Sequence, residues 1–159
     1  MIGVIFLKKK LFDSILISVL VTLVTLGCAF LFTDTESYWY LSLNKPSFQP
    51  PGWVFGAAWG VVYTLFAVSL TFAQLKNVPA KNYVLYGLQA IFNVLWCLFF
   101  FTFYMPYSSL LIILAYIVAT YLTIRNVYNY SKIASLVLIP QIIWLLIATA
   151  LNYAIIFLN

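Results

Sequence analysis

Ser14 to Phe32 is a run of 19 residues without a charge, and Gly52 to Leu75 is another of 24. A helix needs about 20 apolar residues to cross the hydrocarbon of a bilayer, so each run is long enough to span. In lipid every backbone group must be satisfied within the segment, which leaves the helix as the form these runs take. The uncharged stretch from Asn82 to Ile124 is too long for one crossing, and Met105-Pro106-Tyr107-Ser108-Ser109 near its middle supplies a turn. A last run, Ile133 to Asn159, completes the set. The pattern predicts an all-α membrane bundle of five helices near 12–32, 52–75, 83–104, 107–125 and 133–158, in a single domain over 1–159, with a longer loop at 33–51. Pro140 lies inside the fifth segment and is expected to kink it.

Charge agrees. Only 7% of residues are charged and 65% are hydrophobic, whereas a soluble domain carries roughly a quarter charged residues, so a water-soluble globule is excluded. Histidine is absent, and the three acids, Asp13, Asp34 and Glu36, lie near segment ends or in a loop. No metal centre or conventional acid–base enzyme is expected from that set. Cys28 and Cys97 sit in apolar runs, where a free thiol behaves as a small hydrophobe. The net charge of +5 is scattered among short loops, not gathered into a patch, which argues against nucleic acid. With five spans, Lys8, Lys9, Lys10, Lys76, Lys81, Arg125 and Lys132 fall on the N-terminal side and Lys45 alone on the other. This seven-to-one bias predicts an integral membrane protein with its N-terminus in the cytoplasm. Lys8-Lys9-Lys10 ahead of an apolar run ending in Leu26-Gly27-Cys28 loosely resembles a secretory or lipoprotein signal; Thr25 in place of the usual lipoprotein leucine, and the length of the run, favour a retained helix.

The loop at 33–51 carries Tyr38, Trp39, Tyr40 and Phe48, side chains suited to the headgroup level, and Pro46, Pro50 and Pro51 stiffen it. Three helices present faces of similar chemistry. At 100° per residue, Tyr86, Gln89, Asn93, Trp96 and Phe100 share one arc of the third helix. Gln141, Trp144, Ala148 and Asn152 share one on the fifth, and Gly52, Gly56, Trp59 and Tyr63 form a stripe on the second. An amide facing lipid leaves costly unpaired groups, so these faces point inward. Each amide could simply staple helices together, but aromatic walls with a few orienting polar groups also suit a pocket for a flat apolar ligand. Gly52-x-x-x-Gly56-x-x-x-Gly60 has two readings as well: close helix packing within one chain, or a homodimer contact.

The segment Trp39-Tyr40-Leu41-Ser42-Leu43-Asn44-Lys45-Pro46-Ser47-Phe48-Gln49-Pro50-Pro51-Gly52-Trp53-Val54-Phe55, continuing to Trp59 and Tyr63, resembles the signature of the translocator protein family. That family comprises the bacterial tryptophan-rich sensory proteins and the mitochondrial peripheral benzodiazepine receptor. Asn93-Val94-Leu95-Trp96 with Phe99 and Phe100, and Pro140 to Trp144 followed by Ala148-Thr149-Ala150-Leu151-Asn152, extend the resemblance over nearly the whole chain. It implies a five-helix bundle whose cavity, roofed by the first loop, binds porphyrins and isoquinoline-type drugs and, in animals, cholesterol. Carried over, Tyr40 and Lys45-Pro46 belong to the lid and Trp59, Asn93, Trp96 and Trp144 to the wall. Trp59 and Trp144 match tryptophans linked to light-dependent porphyrin breakdown. The animal sterol pattern at the end of the last helix is missing: Tyr153 is followed by Ala154-Ile155-Ile156-Phe157-Leu158-Asn159, without a basic residue. The short C-terminus and the missing sterol residue suggest a bacterial plasma membrane, an organelle membrane being the alternative.

The leading expectation is therefore a membrane receptor or regulator for a tetrapyrrole such as protoporphyrin or haem, held by ring stacking, with no obligatory cofactor. Tyr63, Phe100, Ala148 and Asn152 join the candidate binding residues through the arcs they share. The alternatives are a transporter, for which the repeats and midplane charges common in that class are absent, and a porphyrin-degrading protein acting through Trp59 and Trp144.

Overall fold

The computed structural model describes residues 2–159, and among them it is helical throughout, with five helices long and apolar enough to cross a membrane. Helix α1 covers Ile2–Phe32, a short α2 covers Tyr38–Ser42, and α3 covers Gly52–Leu75. A 3₁₀ turn at Ala80–Asn82 leads into α4, Tyr83–Cys97, which runs on through a π-turn, Leu98–Thr102. Helices α5, Pro106–Val127, α6, Lys132–Leu136, and α7, Ile139–Leu158, complete the chain. Around the bundle α3 packs on α1, α1 on α4, α4 on α5 and α5 on α7, while α6 and α7 return to α3.

Three boundaries differ from the sequence pattern. Helix α1 starts some ten residues before the predicted 12, because Lys8-Lys9-Lys10 are good helix formers and do not break it. At 31 residues α1 is roughly 46 Å long at about 1.5 Å per residue, so it outruns a hydrocarbon layer of about 30 Å. Pro140 does not kink a helix from within. The fifth span is divided at Val137–Leu138, and Pro140 stands in the first turn of α7, where its missing N–H leaves no bond unmade. Finally, the predicted third helix changes pitch near its end: Phe103 N–H donates to Leu98 O (3.0 Å) across the π-turn. That wider turn lets the adjacent Phe100 and Phe101 both face inward, where they are 5% and 8% exposed.

The outside of the bundle is greasy, with Leu111, Trp53 and Phe157 left open, as lipid contact demands. Inside, amides and hydroxyls form rungs. Gln89 Nε2 donates to Thr123 Oγ1 (2.7 Å), and Gln141 Nε2 donates to Gln89 Oε1 (2.8 Å), joining α4, α5 and α7. One turn higher, Tyr63 Oη donates to Asn93 Oδ1 (2.6 Å). Higher still, Asn152 Oδ1 accepts from Trp96 Nε1 (3.2 Å) and lies 2.8 Å from Ser109 Oγ, while Asn152 Nδ2 donates to Pro106 O (2.9 Å). Such bonds hold helices together where no hydrophobic force separates protein from solvent.

The loop after α1 is fastened at several points. Trp39 stacks on Tyr104 at 4.8 Å and meets Phe100 edge-on at 5.5 Å. Tyr104 itself has a left-handed backbone, φ 56°, a conformation that costs a bulky residue energy and that its packing must offset. At the other end of the loop Asn44 and Asn159 embrace reciprocally: Asn44 N–H donates to Asn159 Oδ1 (2.8 Å) and Asn159 Nδ2 donates to Asn44 O (3.1 Å).

Candidate functional site

Between α1, α3, α4 and α7, beneath that loop, lies a cavity of about 500 Å³, within the range of roughly 300–1,000 Å³ usual for small-molecule sites. Its aromatic wall centres on Trp59. That ring lies 6.0 Å from Trp96, 5.7 Å from Tyr63 and 6.4 Å from Trp144, the last at 87°. Trp96 continues onto Phe100 at 5.9 Å, and Phe55 meets Trp144 edge-on at 5.7 Å. Small residues beside the wall keep the space open: Gly52 and Gly56 on the same stripe of α3 as Trp59, and Ala148 on α7. A Cβ added at Gly52, Gly56 or Gly60 would meet nothing within 4 Å, so the glycine stripe does not pack against another helix of this chain. That corrects the first of its two readings.

The roof is polar. Tyr40, Lys45, Gln49, Thr33 and Thr35 line it, and the Lys45 ammonium stands 4.2 Å over the Tyr40 ring. Burial raises the Tyr40 phenol above its ordinary range, and Lys45 is the cation of the roof. Large flat walls below and a cation above make an amphipathic chamber. Among the described residues no three His, Cys, Asp or Glu side chains gather as metal ligands, and Cys28 and Cys97 are unbridged.

Of the residues singled out from sequence, the structure brings Tyr40, Lys45, Trp59, Tyr63, Trp96, Phe100, Trp144, Ala148 and Asn152 to this one cavity. Asn93 and Pro46 stand outside its lining. Asn93 is buried behind Tyr63 and acts on the wall only through the bond it accepts from that phenol, while Pro46 is buried within the loop. Sequence reasoning missed the contribution of α1, which supplies Leu26, Ala29 and Phe30. One signal could have found that face. Ser14, Ser18, Thr22, Thr25 and Ala29 recur at helical spacing, and all five are buried, so the small-residue stripe marks the inner side of a helix that is apolar all round. Phe101 was missed because only the π-turn brings it inward.

The chain matches the model of the TspO/MBR family over residues 14–158. It is similar to a tryptophan-rich protein TspO of Archaeoglobus fulgidus, 37% identical over 91% of this chain and 96% of the relative. It is 31% identical to a tryptophan-rich sensory protein of Cereibacter sphaeroides, covering 76% of this chain and 77% of that one. The human translocator protein is 33% identical over 74% of this chain and 72% of its own length.

Proposed function

Since the chain belongs to the TspO/MBR family of integral membrane proteins, we propose that it is a receptor or regulator that binds a tetrapyrrole in the cavity under the 33–51 loop. The observation that carries this reading is the pairing of a tryptophan-walled chamber with a single cation at its roof. A porphyrin needs both: a flat apolar slot for the macrocycle and a positive group near its carboxylates. Trp59, at the centre of the wall, stacks on or edges against the ring, and Lys45 takes a carboxylate. Without histidine, iron ligation would have to fall to Cys, Tyr or Met, so recognition rests on the rings rather than on a metal bond.

Titration with protoporphyrin, followed by quenching of tryptophan fluorescence, tests the assignment. Trp59→Phe keeps an apolar wall but loses ring area, and aromatic contacts contribute about 1 kcal/mol, so affinity is expected to fall about fivefold. Unchanged affinity in both Trp59→Phe and Trp144→Phe would place the ligand elsewhere.

We propose further that the N-terminus and the basic loops face the cytoplasm and the Lys45 loop the opposite side, on the charge bias of the loops. Single cysteines at the exposed positions 47 and 129, in a background without Cys28 and Cys97, report on this. An impermeant thiol reagent applied to intact cells is expected to label position 47 and spare 129. The reverse pattern would invert the topology.

A further inference from the structure

A second groove, about 820 Å³, opens at the other end of the bundle, lined by α1, the end of α3 and the start of α4. One wall is a single stripe of α1: Lys10, Ser14, Ile17 and Val21, spaced i, i+4, i+7 and i+11 and so running roughly 16 Å along the axis. Gln74 of α3 forms part of the floor. Gly87 stands in the far wall on α4, where an added Cβ would meet nothing within 4 Å.

The two ends of this groove differ in chemistry. At the membrane surface Lys10 Nζ donates to Leu75 O (3.0 Å) and Asn77 Oδ1 (2.8 Å). Both partners are neutral acceptors, and the third N–H is not used by either bond. Gln74 Nε2 is turned to Ser14 O and Ser18 Oγ (2.9 Å), so Lys10 is the one charged group in the lining of the groove. Lys8, Lys9, Lys76 and Lys81 belong to the same end of the bundle, against one carboxylate on that stretch of α1, Asp13. Towards the bilayer centre the wall becomes apolar and lipid-facing at Ile17 and Val21, 49% and 37% exposed.

A cation at one end, an apolar, lipid-facing wall at Ile17 and Val21, and a basic surround together match one kind of occupant. We propose that this groove binds a single anionic phospholipid, with its phosphate on Lys10 and one acyl chain lying along Ile17 and Val21 past Gly87. A zwitterionic lipid brings its own cation to the Lys8–Lys10 end and is disfavoured there. The site is separate from the tryptophan-walled cavity and stands or falls independently of what that cavity holds.

Native mass spectrometry of the full chain, titrated with dioleoylphosphatidylglycerol or dioleoylphosphatidylcholine, tests this. One saturable phosphatidylglycerol adduct is expected, with phosphatidylcholine weaker. Lys10→Met should weaken phosphatidylglycerol about fivefold, the usual worth of one basic side chain at a membrane surface, and Lys10→Arg should restore it. Lys132→Met, on another loop, should leave it unchanged. Gly87→Leu fills the groove without touching a charge and should displace the same adduct, which keeps the test open if Lys10→Met fails to fold. Protoporphyrin quenching should be unaffected in every variant. Equal loss in Lys132→Met, full occupancy in Gly87→Leu, or competition by inorganic phosphate as effective as by the lipid would overturn the proposal. So would a loss of thermal stability in Lys10→Met that is the same in both lipids, which would make Lys10 only a cap on α3.

Discussion

Gly56→Leu is expected to leave the bundle at least as stable as before while lowering protoporphyrin affinity by roughly 30-fold. Gly56 is in the body of α3, and its missing side chain would point into open space, not into a neighbouring helix. Leucine is a better helix former than glycine by about 0.8 kcal/mol, so the fold loses nothing locally. The cost falls on the ligand. Gly56 lines the cavity beside Trp59, and a leucine there takes up the volume that a flat ring requires. Filling space that the ligand needs is expected to cost binding about 1–3 kcal/mol, by analogy with overpacking a core, and about 2 kcal/mol corresponds to the stated loss. Thermal unfolding in detergent and porphyrin titration of the same sample separate the two effects. A fall in melting temperature or oligomer size with affinity intact would show that the glycine face serves assembly instead.

The second large effect is on stability. Asn152→Leu conserves approximate volume but removes the acceptor of the Trp96 indole and the donor to Pro106 O. The Ser109 hydroxyl lies within bonding distance of both Asn152 Oδ1 and Pro106 O (2.9 Å), so it can serve the carbonyl once the amide is gone. Trp96 Nε1 has no such alternative. An orphaned buried donor costs about 1–3 kcal/mol, which lowers the unfolding midpoint of a chain this size by roughly 4–8 °C for 2 kcal/mol. The assignment carries its own control, because adding Trp96→Phe removes the orphan. The double variant should be less destabilised than the sum of the single ones by about 1 kcal/mol. Strict additivity would mean that the indole bond is not what Asn152 supplies.

The residues most legible in sequence were those whose chemistry leaves them one place to go. Gln89, Asn93, Gln141 and Asn152 sit in apolar runs, and an amide in lipid must turn inward, so their arcs identified the inner faces of α4 and α7. A helical wheel fixes direction but not depth. It could not say that Asn93 stands behind Tyr63 while Trp96, one turn on, reaches the cavity. Helix α1 was nearly silent for the opposite reason, since leucines, valines and phenylalanines surround it on every side and only its small residues betray the packed stripe. The break at Val137–Leu138 was invisible because it contains no glycine, proline or charge, so Pro140 read as a kink within a helix when it is the start of one.

The reciprocal amide pair between Asn44 and Asn159 has a kinetic consequence. With Asn44 Nδ2 also donating to Leu158 O (3.3 Å), three hydrogen bonds tie the stretch of backbone beside Lys45 to the last turn of α7. Helix ends unwind readily, far more often than a packed core opens. The segment carrying Lys45 is therefore released on the timescale of that unwinding, and the amide protons of Asn44 and of the final turn should exchange with solvent as one cooperative unit.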